Sequence, residues 1–171
     1  MSKSREEKKQ KVVEVLNKAR SMELQAIHQY MNQHYTLDDM DYGEFATSIK
    51  NIAIDEMRHA ESFAERIKEL DGEPTTELAG GIEKNQDVEK IFPFDSEQEE
   101  EAIDTYNEFA QVCRENHDTI SAKLFETIIE SEQEHLNYFD DIDEHIKTLG
   151  NTYLARIAGT SAPASGGAEQ E

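Results

Sequence analysis

Four stretches of the chain share one rhythm. In the first, Val12, Leu16, Ala19, Glu23, Ala26 and Tyr30 follow one another by steps of 4, 3, 4, 3 and 4. Alternating steps of three and four keep these residues on one face of a helix, the seam by which helices pack into a bundle. The spacing predicts a helix over about residues 5–35, with Met22 and Ile27 widening the seam. A second seam runs through Phe45, Ile49, Ile52, Glu56, His59, Phe63 and Leu70. Asp41 and Glu44 have the spacing of a capping box in front of it. Gly72 suits the left-handed residue after its end, with Pro74 beyond.

The third seam is Glu99, Ile103, Tyr106, Ala110 and Cys113. Asp95 reads as its N-cap with Gln98 at N3, and the helix runs to about Asn116. The fourth is Phe125, Ile128, Glu132, His135, Phe139, Ile142, Ile146 and Leu149, stopped by Gly150; either Asp118 caps this helix or a short kink joins it to the third. Tyr153, Leu154 and Ile157 predict one short fifth helix. Residues 71–95 show no period and contain Gly80, Gly81 and Pro93. So long a connection needs a topological reason. A crossover along the full bundle supplies one and makes helices two and three parallel. The fold class is therefore all-α, a four-helix bundle with a long crossover and a short fifth helix. From Thr160 the chain reads TSAPASGGAEQE, a small-residue stretch expected to be disordered. This gives one domain, 1–159, and a tail, 160–171.

Some seam residues are not apolar. Glu56 and His59 stand three apart, so both point from one helix face, one turn apart. The same Glu-x-x-His recurs as Glu132 and His135. Glu56 follows Glu23 by 33 positions, as Glu132 follows Glu99; the whole pattern repeats at an offset of 76. All six residues lie in core seams. Burying an ionised carboxylate alone is very costly. No seam Lys or Arg is present to pair with these four. Two divalent cations would balance four carboxylates, and a Glu from each of two helices with Glu-x-x-His from the other two is a di-metal carboxylate pattern. The mixed oxygen and nitrogen donors suit iron or manganese, whereas zinc would bind without redox chemistry.

Composition narrows the setting. The 171 residues hold 38 Asp plus Glu against 17 Lys plus Arg, a net charge of −21. Such a surface repels nucleic acid and anionic lipid and attracts cations. The one cysteine, Cys113, allows neither an internal disulfide nor a Cys-based zinc site. The opening MSKSREEKKQKVVEV lacks the apolar core of a signal peptide, and no apolar run of about 18 residues exists to span a membrane. The expected location is the cytoplasm.

The stretches LNKARSMELQAIHQYMNQH (16–34), IAIDEMRHAESFAERIKELDGEP (52–74) and ESEQEHLNYFDDIDEHIKTLGNTYLARIAG (130–159) resemble the bacterioferritins, and most closely those of sulphate-reducing bacteria. The resemblance covers nearly the whole chain except the tail. It implies a ferritin-like di-iron domain in which Glu23 and Glu99 are terminal ligands, Glu56 and Glu132 bridge two irons, and His59 and His135 bind one iron each. It implies a ferroxidase that oxidises Fe(II) with dioxygen or peroxide and stores ferric mineral inside a shell of 24 subunits built from two-fold dimers. It also implies a partner that donates electrons for iron release.

Met57 points off the seam by about 100°. By itself it reads as packing at a helix or subunit contact. The resemblance makes it an axial ligand of a haem, or related iron porphyrin, shared by two copies at a two-fold interface, with Met31 and Phe45 lining the pocket. Tyr30 reads either as a core aromatic or as an electron-giving neighbour of the site. Tyr138 stands where many relatives have Trp. Asp55 matches a family position for iron on the inner wall, but its usual His partner is Asn51 here. His28, His34, His117 and His145 read as surface or interface residues. The alternative is a di-iron peroxidase of the rubrerythrin type that forms no cage, although that family adds a Cys-rich module. A DNA-protecting mini-ferritin fits poorly with the acidic charge. A purely structural bundle leaves the seam carboxylates unexplained.

Overall fold

The structure, a computed structural model, describes residues 4–160. These form five helices: α1 (Arg5–Asp39), α2 (Gly43–Glu69), α3 (Val88–Glu115), α4 (Thr119–Leu149) and α5 (Asn151–Ile157). Short turns join α1 to α2 and α3 to α4, so each pair is antiparallel. Across the bundle, Tyr30 of α1 meets Glu99 of α3, while Tyr106 of α3 meets Glu23 of α1. The sequence order reverses between the two helices, so α1 and α3 are antiparallel and α2 and α3 parallel. The crossover, residues 70–87, thus returns the chain along the bundle as its length predicts.

Why that crossover lacks a period is visible in its partners. It is held by its backbone, and the holders are polar residues along α1. Asn17 donates to the Glu73 carbonyl at 3.0 Å and accepts from the Thr75 N–H at 2.7 Å. Gln29 does the same to Glu83, both bonds at 2.9 Å. Gln25 donates to the Gly81 carbonyl at 3.1 Å. These bonds satisfy main-chain groups that a segment without helix or sheet cannot satisfy internally.

Three helix ends share one device. After α1, α2 and α3 the chain turns through Asp41, Asp71 and His117, with φ of 61°, 58° and 63°. The next residue then donates back to the helix: Tyr42 to Leu37 at 2.9 Å, Gly72 to Ile67 at 2.8 Å, Asp118 to Cys113 at 2.9 Å. This satisfies carbonyls a helix end would leave free. The left-handed position after α2 therefore belongs to Asp71, not Gly72. Gly72 is required for space: a Cβ there would lie 2.8 Å from both Ile67 Cγ2 and Val13 Cγ1.

Two helix starts differ from the sequence expectation. Asp41 does not cap α2. The N–H groups of Gly43 and Glu44 donate instead to the carbonyl and hydroxyl oxygens of Thr160, each at 3.0 Å. A residue 116 positions away does the capping, which no local pattern can reveal. Thr160, expected to open the tail, is thereby tied to the bundle; the rest of that stretch, 161–171, lies outside the described residues. α3 begins at Val88 after Asp87, not at Asp95, and carries Pro93 within it. Pro93, the sixth residue of α3, has no N–H to give to the Glu89 carbonyl one turn back, so one main-chain bond of the helix is missing there. Asp95 is fully buried and accepts from Gln33 Nε2 at 2.7 Å. Asp118 does cap α4, accepting from the Ser121 N–H at 2.9 Å. Leu149, last of the fourth seam, is exposed because the helix ends beside it at Gly150, whose φ of 54° suits glycine.

The core has two apolar halves. One gathers Tyr30, Phe45, Ile49, Phe92, Phe139 and Ile146 with Leu154 and Ile157 of α5. The other gathers Val12, Leu16, Phe63, Ile67, Tyr106 and Phe125 around the buried Cys113. Between them lies a polar layer.

Candidate metal centre

The polar layer is made by the four seams at one level of the bundle. α1 contributes Glu23, α3 Glu99, α2 Glu56 and His59, and α4 Glu132 and His135. All six are buried. The steps of three and four that bury their neighbours leave these side chains nowhere to point but inward. They form two groups of possible metal ligands: Glu23, Glu56, His59 and Glu132, and Glu56, Glu99, Glu132 and His135. Within each group one donor atom per residue lies within 4.8 Å of every other. Glu56 and Glu132 belong to both groups, while each imidazole and each of Glu23 and Glu99 belongs to one. That division matches two bridging carboxylates between two cation positions.

The finer distances agree. His59 Nδ1 lies 2.9 Å from Glu56 Oε2 and 3.2 Å from Glu132 Oε1. His135 Nδ1 lies 3.0 Å from both Glu56 Oε1 and Glu132 Oε2. Glu23 and Glu99 stand 3.8 Å from the His59 and His135 nitrogens respectively. The two rings face each other across 6.0 Å. On the far side of His135, Nε2 is 3.5 Å from Asp55 Oδ2. Asp55 thus stands behind the ring, on the side away from the other carboxylates. Asp55 itself pairs with Arg58 at 2.8 Å, and Asn51 is exposed.

Electrostatics show what the cluster demands. Burial first, then the charges of Glu132 and Glu56, push the Glu23 carboxyl well above the usual carboxylate range. Burial, with Glu56 and Glu132, does the same to Glu99. Burial also opposes the charge on Glu56, but its bonds to His135 and His59 outweigh this and bring it down to about 2. Burial lowers the His135 imidazole, yet Glu132 and Glu56 raise it to about 11, and His59 is raised for the same reason. Glu23, Glu99, His59 and His135 thus all hold protons more tightly than they would in water, the response of a crowded, buried set of carboxylates. Hard divalent cations bound by oxygen and nitrogen donors would replace those protons.

Two tyrosines frame the layer. Tyr30 donates its hydroxyl to Glu99 Oε1, across the bundle and not along its own helix. Tyr106 donates to Glu23 Oε1 at 2.6 Å. The sequence reading passed over Tyr106, although it follows Tyr30 by the same 76 positions that relate the six acidic and imidazole residues. A cavity of about 650 Å³ lies between α1 and α3. It runs from the exposed Lys18, Gly80 and Glu101 to Glu23, Glu99 and the two tyrosines.

The remaining candidates divide. Met57 is 55 % exposed, on the side of α2 away from Glu56 and His59. Phe45 does not line an outer pocket with it: it is buried in the core, its ring edge-on to Phe92 at 4.8 Å. Met31 is partly buried against the core. Tyr138 is half-buried with its ring 5.5 Å from Phe139, and burial pushes its hydroxyl up to about 12. His28, His117 and His145 are exposed, and His34 Nδ1 contacts the Ala46 carbonyl at 2.7 Å.

Residues 13–149 match the family model of the ferritin-like domain. The bacterioferritin of Desulfovibrio desulfuricans is 62 % identical over 160 residues, covering 94 % of this chain and 89 % of that protein. The chain belongs to the bacterioferritin family. The bacterioferritin of Streptomyces coelicolor is 35 % identical over 153 residues, 89 % of this chain and 92 % of that one. Among solved structures, a crystal structure of the Desulfovibrio desulfuricans bacterioferritin superposes with a TM-score of 0.94 at 58 % identity, covering 99 % of both chains. That structure is described as showing the diiron site in different catalytic states. Mycobacterium tuberculosis bacterioferritin BfrA gives a TM-score of 0.82 at 33 % identity, over 86 % of this chain and 93 % of that one. The four-helix bundle with its short fifth helix is thus the bacterioferritin fold. Among the described residues no helix is long and apolar enough to cross a membrane.

Proposed function

We propose that this chain is an iron-storing ferroxidase. One observation carries the reading: two groups of buried ligands share Glu56 and Glu132 and differ in their terminal carboxylate and imidazole. Glu23 and His59 would hold one iron, Glu99 and His135 the other, and Glu56 and Glu132 both. Bound there, two Fe(II) ions would supply one electron each to dioxygen or peroxide. The chain's own residues do the rest. The carboxylates draw Fe(II) from solution, the surrounding apolar halves keep the ligands from collapsing into water, and Asp55 holds the His135 ring in line. The acidic surface, with its net charge of −21, concentrates cations around the molecule.

The reading extends to assembly. Copies of the chain form two-fold dimers and a closed shell of 24, within which ferric iron is stored. Met57 would bind a haem at the two-fold contact, where an isologous interface lets one residue supply both axial ligands. Its exposed position on α2 leaves it free to do so. Haem there would supply a one-electron carrier, reduced by a partner protein when iron is released. The buried Cys113 suits the reducing cytoplasm to which the reading assigns the chain. A cage-free di-iron peroxidase would share the ligand layer but not the shell. Size-exclusion chromatography with metal analysis and an absorption spectrum tests this: a particle of about 24 chains, with iron and a haem band, is expected. A dimer without a haem band would overturn the storage reading.

A further inference from the structure

Tyr106 is 1 % exposed and its hydroxyl donates to Glu23 at 2.6 Å. Tyr30, 2 % exposed, makes the mirror bond to Glu99. Each hydroxyl comes from the helix opposite its glutamate. The two bonds cross the seam between α1 and α3, beside the cavity that both tyrosines and both glutamates line.

We infer that Tyr106 is a positioning residue: by its hydrogen bond it holds the Glu23 carboxylate toward the cation shared with His59, as Tyr30 holds Glu99 toward the cation shared with His135. The inference rests on the two-cation reading of the layer. A carboxylate rotates easily; the Tyr106 hydroxyl, carried on a rigid ring, is bonded to Glu23 Oε1, the same oxygen that stands 3.8 Å from His59 Nδ1, and so fixes where that oxygen sits. The Tyr106 ring is rigid because it packs at 5.8 Å against Phe63 and 5.7 Å against Phe125. Such outer partners commonly change metal affinity by 10–100-fold. The effect must be local, since the two tyrosines touch different terminal glutamates. Tyr106 therefore sets one cation position and leaves the other alone.

Cobalt(II) is the probe, titrated without oxygen into the whole assembled protein and followed by its visible absorption. The unaltered chain should take up two ions. Tyr106→Phe keeps the ring and its packing; it should weaken one of the two ions by about 10–100-fold and leave the other unchanged. Tyr30→Phe should weaken the other. In a Glu23→Ala background, adding Tyr106→Phe should change nothing further, a result that a general packing role would not give. Two unchanged affinities in Tyr106→Phe, equal weakening of both ions, or a further loss in the Glu23→Ala background would each overturn the inference. Uptake of fewer than two ions by the unaltered chain would instead overturn the two-cation reading beneath it. Tyr30→Phe tests the same frame independently if the Tyr106 variant does not fold.

Discussion

Glu56 reaches His135 across the core. Its Oε1 lies 3.0 Å from Nδ1 of that ring, on a different helix, while its Oε2 lies 2.9 Å from His59 on its own. One carboxylate therefore faces both imidazoles, and Glu132 does the same from the other side. Only these two carboxylates belong to both groups of possible ligands. Glu56→Ala removes a ligand from both cation positions at once. We expect the fast phase of Fe(II) oxidation to fall by more than about a hundredfold, beyond the usual effect of an outer partner. Stopped-flow absorbance after mixing with Fe(II) in air checks this. His135→Ala should remove the same phase, because it too strips a ligand from the pair.

The titration of the layer sets how the metal-free protein responds to pH. Glu56 is lowered in the fold to about 2, so its contribution to stability is present above its ordinary value of 4.5 and is lost as pH falls toward 2. The imidazole of His135 is raised from 6.5 to about 11, so its contribution is present below pH 6.5 and is lost as pH rises toward 11. Glu23 and Glu99 are raised, and they too favour the fold less as pH rises above 4.5. Chelator-treated protein should therefore be most stable near pH 4.5, decline above it, more steeply beyond pH 6.5, and melt at lower temperature at pH 9. Bound divalent metal replaces the protons and should flatten that decline. Thermal melts across pH, with and without zinc, measure both.

Thr160 bears on α2 through two bonds, from Gly43 to its carbonyl and from Glu44 to its hydroxyl. Thr160→Ala keeps the first and removes the second. A lost helix cap of this kind costs about 1 kcal/mol. Denaturant unfolding of the metal-free chain should show that loss with an unchanged slope.

Met57 faces away from the layer, so its role separates cleanly from iron oxidation. Met57→Leu should abolish the haem absorption band while the fast oxidation phase keeps its rate. Retention of the band would show that another residue holds the haem.

How much of this was legible in the chain depends on distance along it. The six residues of the layer were, because each sits in a helix whose neighbours carry the period and because the pattern repeats at 76. Tyr106 was legible by that same offset from Tyr30, yet a tyrosine in a seam looks like any core aromatic. The start of α2 was not legible, since its cap comes from Thr160 at the other end of the domain. Nor was the start of α3: Pro93 looked like a breaker and Asp95 like a cap, whereas Asp95 is buried against Gln33 of α1. The crossover hid its order because amide side chains of α1 hold its backbone and leave no periodic trace.

The central claim is that one chain holds two irons at once and oxidises them together. It is tested most directly by adding Fe(II) in steps to metal-free protein, exposing each sample to air, and recording the amplitude of the fast oxidation phase. The account predicts an amplitude that rises to two iron per chain, stops there, and vanishes in Glu56→Ala. A fast phase saturating at one iron per chain, or one that survives in Glu56→Ala, would contradict it.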